Sequence, residues 1–200
     1  TLQNRLSLFN KIDFLHDDKR IFNLAARYIY EERWGGEMNW KPSNRGSDSI
    51  YAESIHTNRW ETFGTYELPM APDVKFQFSG NGHIQNSYYG VTPYKADQYI
   101  GFGQLTWNTP VGNKHSLLLG GAYRYTYYDD NTFATLSEDG FNNNPSIMHL
   151  PGIFIQDEIN LNEWQKLLLG IRYDYNSIHG NVFSPRANYK WSSIDKNEII

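Results

Sequence analysis

The stretch His115–Asp130, HSLLLGGAYRYTYYDD, carries the pattern that decides the fold. Read alternately, Leu117, Leu119, Tyr123, Tyr125 and Tyr127 fall on one side. Ser116, Gly120, Arg124 and Thr126 fall on the other, interrupted by Leu118 and Ala122. A period of two is that of a β-strand, whose successive side chains point to opposite faces. A tall leucine–tyrosine stripe backed by arginine and small polar residues fits a wall with hydrocarbon on one side and a polar lumen on the other. An Arg or Lys on the lipid face near the bilayer midplane would cost about 2–4 kcal/mol. Basic residues should therefore take the opposite parity, where Arg124 falls.

The same alternation recurs along the chain. In VKFQFSGNGHIQNSYY, Val74, Phe76, Phe78, Ile84 and Tyr88 alternate with Lys75, Gln77, Ser79, Asn81, His83, Gln85 and Ser87. IFNLAARYIY places Phe22, Leu24, Ala26, Tyr28 and Tyr30 on one face. Leu167, Leu169, Ile171, Tyr173 and Tyr175 alternate with Gly170, Arg172, Asp174 and Asn176. In FSPRANYKW, Arg186 and Lys190 again oppose the apolar stripe. The segments LLLGGAYRY (117–125) and LLLGIRYDY (167–175) share the pattern L-L-L-G-x-x-Y-x-Y, a weak internal repeat of one strand type. DQYIGFGQLTW and GIFIQDEINL alternate less cleanly. No segment has the 3.6 periodicity of an amphipathic helix. The expectation is nine strands and the start of a tenth in KNEII, at 196–200.

The connections fall into two sets. HDDKR, PMAPD, NTPVGNK, NLNEWQ and SSIDKNE are short and turn-like. The stretches Gly35 to Asn58, Tyr89 to Lys95, Asp129 to Leu150 and Ser177 to Asn181 read as mostly longer and irregular. The sets alternate strictly, so an up-and-down meander collects the tight turns at one end and the long loops at the other, the asymmetry of an outer-membrane barrel. Tyr28, Tyr30, Tyr88, Tyr125, Tyr127, Tyr173 and Tyr175 lie toward the long-loop ends, and Trp107, Trp164 and Trp191 at or beside short turns. Two aromatic levels with leucine between them fit two interfacial girdles, because these rings combine an apolar body with a polar edge.

Composition narrows the function classes. Of 200 residues, 40% are hydrophobic and 16% aromatic, which excludes compositional disorder. The net charge of −4, without a basic block, argues against a nucleic-acid partner. With no Cys there is no disulfide, thiolate metal site or cysteine nucleophile. No apolar run reaches the roughly 20 residues of a membrane helix. The mean hydropathy of −0.64 suits a soluble protein or a barrel whose lumen side is polar. Neighbouring carboxylates such as Glu31–Glu32 and Asp157–Glu158 point to opposite faces of a strand and cannot work as a catalytic pair. No G-x-S-x-G, P-loop or H-E-x-x-H motif is present, so no enzyme activity and no cofactor are expected.

The segments RYIYEERWGGE, GIFIQDEINL, LLLGIRYDYNSIHG and VFSPRANYKW resemble the barrel of TonB-dependent outer-membrane receptors, in the form found in Bacteroidetes and related to siderophore, colicin and cobalamin receptors. The resemblance covers essentially the whole chain, residues 1–200. It implies an all-β, antiparallel up-and-down transmembrane β-barrel segment, part of a 22-stranded plugged barrel in the bacterial outer membrane. It implies active uptake of a scarce, bulky nutrient, a ferric siderophore or a cobalamin, with the TonB energising complex and in some cases a surface lipoprotein as partners. Both ends look cut, and no plug, TonB-box segment or closing strand is seen, so a slice of a longer barrel is expected. Two alternatives stay open on the residues: a passive porin-like channel, and a soluble all-β sandwich or propeller that binds glycans.

Ligand contacts are expected from long loops and the upper lumen wall: Trp34, Trp40, Tyr51, Tyr89, Tyr94, Phe133, Phe141 and His149. Such aromatics stack on a corrin or catecholate with little loss of entropy. Arg172 and Arg186 point inward and can guide an anionic ligand or pair with plug carboxylates. None of the six His shows metal spacing, although His56 or His149 in an outer loop has the chemistry of an axial haem ligand. Asp129, Asp130, Glu138 and Asp139 offer oxygen ligands, but not at EF-hand spacing, so no metal site is expected.

Overall fold

The β-branched and aromatic residues that recur at every second position form long strands, because each such strand can satisfy both of its solvents at once. In a computed structural model, which describes residues 2–17, 20–69 and 73–192, nine strands form one sheet in the order of the chain. They are β1 (Leu2–Leu15), β2 (Ile21–Gly36), β3 (Ala52–Glu67), β4 (Val74–Tyr89), β5 (Thr92–Val111), β6 (His115–Asp130), β7 (Ser146–Asn162), β8 (Gln165–Asn176) and β9 (Gly180–Trp191). Every neighbouring pair is antiparallel. The expected tenth strand in KNEII and nearly all of SSIDKNE lie outside the described residues.

The register carries one face across the whole sheet. On the outward face a single row runs Phe14, Phe22, Tyr66, Phe76, Leu105, Gly121, Ile153, Tyr173 and Phe183. Leu117, Leu119, Leu167 and Leu169 share that face. Of the lysines and arginines in the nine strands, only Lys95 has outward parity, and it lies toward the long-loop end of β5. The outward carboxylates are Glu32, Asp97 and Asp129 near that same end and Asp157 near the other. Asp157 Oδ2 meets His115 Nδ1 at 2.7 Å, at the short-turn edge of the apolar band. Few side chains are buried, because a single sheet has no second layer to pack against.

Below that row, β1 runs only one residue further, to Leu15, whereas β9 runs eight further, to Trp191. The turn end thus slides by seven residues across the sheet. At about 3.4 Å per residue along and about 4.8 Å per strand across, this is a tilt of roughly 30°, near the lower edge of barrel values. A span needs only about 9–11 tilted residues. The strands here have 12 to 20, so β2 to β7 project past the membrane at the long-loop end.

The loop expectation needs correction at two of four places. The segments 37–51 and 131–145 are long, but β4 and β5 are joined by Gly90–Val91 alone and β8 and β9 by 177–179. Gly90 (φ 60°) and Gly180 (φ 80°) take the left-handed backbone that such tight turns require. The stretch 52–58, read as loop, is strand β3, which continues above the membrane. The soluble sandwich also falls: the described strands form one sheet, with no second sheet packed upon it.

Candidate functional site

The inward face divides into three charge zones. Across β1 to β4 most inward charges are paired: Arg5 Nε lies 3.7 Å from Glu31, Lys11 3.1 Å from Asp13, and Lys75 3.2 Å from Glu67. Arg27 and Arg59 share Glu61. Above Lys75, the walls of β4 and β5 are uncharged and rich in amides and hydroxyls; Gln104 donates to Gln77 at 3.1 Å and Gln85 to Ser87 at 2.9 Å. On β6 to β9 the balance turns cationic. Arg172 is paired with Asp174 and Lys166 with Glu158, but Arg124 and Arg186 have no carboxylate partner among the described residues. Arg172 and Arg186 line one cleft of about 470 Å³ together with Gln156 and Ser184.

Both long loops are fastened by specific contacts. In the loop 37–51, Arg45 donates from Nε to Ser54 Oγ (3.1 Å) and from Nη2 to the Asn86 carbonyl (2.9 Å) and Oδ1 (3.0 Å). Its guanidinium lies 4.6 Å from the Tyr88 ring centre, a cation–π contact. Ser54, Asn86 and Tyr88 all have outward parity, so this loop leans on the outside of the projecting strands. In the loop 131–145, Asp130 Oδ1 accepts from Thr132 N (2.8 Å) and Thr132 Oγ1 (2.7 Å), and the Thr135 hydroxyl donates to the Asp130 carbonyl at 2.6 Å. A polar cleft of about 590 Å³ lies between this loop and the ends of β4 to β6, lined by Gln85, Lys95, Asp97, Asp129, Asp130 and Asn143.

The expected contact residues fall into separate groups. Trp34, at the top of β2, meets Trp40 of the loop 37–51 with ring centres 5.9 Å apart. Tyr51 ends that loop and covers the Gly90 turn beside Tyr89. Tyr94 faces inward and its hydroxyl is 3.0 Å from that of Tyr128, which donates to Asp130 at 2.7 Å. Phe133 and Phe141 project from the loop 131–145, 88% and 89% exposed. Arg172 and Arg186 lie lower on the wall.

Two expectations change place. His149 belongs to strand β7, not to an outer loop, and has outward parity. Its Nδ1 is 2.6 Å from the Tyr123 hydroxyl and its ring centre 5.5 Å from that of Tyr125, so it is part of the outer aromatic girdle. His56 likewise lies in β3 rather than in a loop. The acidic run is used for capping: Asp139 Oδ1 accepts from the Phe141 amide at 2.9 Å and also from the Ser137 hydroxyl. These hydrogen bonds to the ionised form hold its carboxyl below the usual range, the Ser137 hydroxyl contributing most. The described residues contain no cluster of three or more metal-ligating side chains. Arg45 and Tyr128 were not singled out in the sequence. Arg45 sits in an aperiodic PSNRG segment, and Tyr128 has the parity opposite to the tyrosine stripe.

Comparison with known proteins agrees with this geometry. Residues 2–197 match the family model described as TonB dependent receptor-like, beta-barrel. The siderophore receptor PirA from Pseudomonas aeruginosa superposes with a TM-score of 0.64 at 14% identity, over 94% of this chain and 30% of that one. A variant of the ferric enterobactin receptor PfeA from the same organism matches with a TM-score of 0.48 at 12% identity, over 96% of this chain and 42% of that one. The chain thus spans under a third of the PirA chain, and at such identity the likeness speaks for fold. No curated protein matches at a significant level. The nine strands are a wall of a bacterial outer-membrane barrel, and the chain belongs to the TonB-dependent receptor-like β-barrel family.

Proposed function

We propose that this wall serves TonB-driven uptake of a scarce, bulky nutrient, a ferric siderophore or a cobalamin. The observation that carries the reading is the sorting of the two faces in a chain of this family. The outward face is sealed with apolar side chains, while the inward face offers amides, hydroxyls and unpaired guanidinium groups from mouth to turn. In this reading Trp34, Trp40, Tyr51, Phe133 and Phe141 make the first contacts at the outer end, where rigid rings hold a large ligand at little entropic cost. Tyr89 and Tyr94 receive it at the mouth, and lower down Arg186 acts on negative charge beside Arg172, whose own charge is matched by Asp174. His149, held in the girdle, is left out of the set. The TonB complex supplies energy, and a surface lipoprotein is a further partner of this reading. No chemical step on the ligand is required.

The test is growth of a strain lacking the receptor gene, with cobalamin or ferric siderophores as the limiting nutrient. Restoration by the intact gene on one nutrient class, and failure when the inner-membrane energising complex is removed, supports the reading. Growth that persists without that complex favours a passive channel, and restoration on neither class refutes the uptake proposal.

A further inference from the structure

Histidine is the side chain whose ordinary pKa puts a change of charge between about pH 5 and pH 8. His56 stands half-buried on the outward face of β3, above the girdle tyrosines Tyr28 and Tyr30. In the register it lies between Glu32 of β2 and Asn86 of β4. Both neighbours are engaged. Glu32 Oε1 accepts from the Tyr30 hydroxyl, and Asn86 accepts from Arg45 Nη2 through its carbonyl and its Oδ1. Ser54, the next residue along the same face of β3, is 1% exposed and accepts from Arg45 Nε. His56 therefore stands beside both anchor points of the fork that fastens the loop 37–51.

The fastening is closely fitted. Gly46 follows Arg45, and a Cβ there would come within 3.1 Å of the Tyr88 ring on which the guanidinium lies. Held by Ser54, Asn86 and Tyr88 together, the guanidinium has little room to retreat from a new positive charge and stay bonded. The charged and titratable groups around His56 are Glu32 and Tyr30 on β2, Tyr88 on β4 and Arg45 on the loop. Of the other charges of the loop, Glu37 is held at its end by the Tyr51 amide at 2.8 Å, and Lys41 and Asp48 are exposed.

Burial, and then the Arg45 charge, hold the His56 imidazole below its usual pKa, against the pull of Glu32. The fastened loop thus favours the neutral ring. Its fastening is complete above the ordinary histidine value and is lost as pH falls from there through the lower value of the fastened state.

We propose that His56 is an acid-sensitive latch for the loop 37–51. Protonation of the ring repels the Arg45 guanidinium, breaks its fork on Ser54 and Asn86, and pairs the imidazolium with Glu32. The freed loop takes Trp40 away from Trp34, so this part of the outer end is ordered at neutral pH and open in acid. The latch is independent of which nutrient the receptor takes up.

The test is hydrogen exchange of the whole receptor, read by mass spectrometry from about pH 8 to about pH 5 and corrected for intrinsic rates. In the wild type, protection of the segment 37–51 should fall by roughly three- to tenfold in acid while the membrane strands keep theirs. His56→Gln cannot take up the charge and should keep the segment protected throughout. Heat-dependent gel mobility checks the fold, and His56→Asn serves where the glutamine variant does not assemble. Constant protection in the wild type overturns the proposal. So do an equal acid response in the folded variant and a loss of protection spread through the barrel strands.

Discussion

Arg172 donates from Nε and Nη2 to the two carboxylate oxygens of Asp174, each at 2.7 Å, on the inward face of β8. The pair fits because Gly152 of the adjoining strand has no side chain; a Cβ there would overlap Asp174 Oδ1. The guanidinium also lies 5.5 Å from the Phe154 ring centre, and that ring covers Gly120. Asp174→Ala should destabilise the barrel by about 1.5–3 kcal/mol by leaving the guanidinium without its acceptor. Gly152→Ala should do similar damage from the facing strand. Urea midpoints of the refolded receptor measure both, and the double variant should cost less than the sum, since both remove one interaction.

The facing assignment predicts an asymmetric response to charge. Leu119→Arg places a guanidinium in hydrocarbon near the midplane and should cost about 2–4 kcal/mol, reducing assembly. Gln77→Arg, on the opposite face, should assemble normally. Heat-dependent gel mobility of outer-membrane fractions distinguishes them. Equal tolerance at both sites would contradict the two-solvent wall.

Arg45 is the fastening of the loop 37–51, and its fork spans two strands. Arg45→Ala should release the loop by about 1.5–3 kcal/mol of local stability, seen as faster proteolysis between 37 and 51 with barrel stability unchanged. Arg45→Lys should restore little, because an ammonium can neither form the fork nor lie flat on Tyr88 in the same way.

The loop 131–145 should respond to acid. The folded-state pKa of Asp139 is depressed, so its contribution is present above the unfolded value and is lost as pH falls through the lower folded value. Hydrogen exchange at the Phe141 and Asn142 amides, corrected for intrinsic rates, should rise through that acidic window. Asp139→Asn should raise it already at neutral pH.

The alternation of Leu117 to Tyr127 against Arg124 made the wall legible from the sequence, since a strand between two unlike solvents writes its facing into every second residue. The loop lengths were harder. In the upper part of β3 the outward residues Ser54, His56 and Asn58 are polar, and the loop 37–51 reaches Ser54 there, so no apolar outward stripe marks the strand and the stretch resembles a loop. The glycine at 90 carried the turn signal, but Pro93 soon after it made the stretch resemble a longer loop. His149 illustrates the same limit: a histidine beside proline and leucine looks like a loop ligand until the register sets it beside Tyr123. Arg45 could not be found from spacing, because its partners Ser54 and Asn86 come from different strands.

The unbroken ladder has a consequence for how this family can vary. From β1 to β9 the pairing slips at one described place, between Asn160 and Asn162, beside a turn. Elsewhere, inserting or deleting one residue within a strand would exchange the hydrocarbon and aqueous sides of everything beyond it. Drift in strand length should therefore proceed by even numbers or by compensating bulges, while the segments 37–51 and 131–145 can gain or lose residues one at a time.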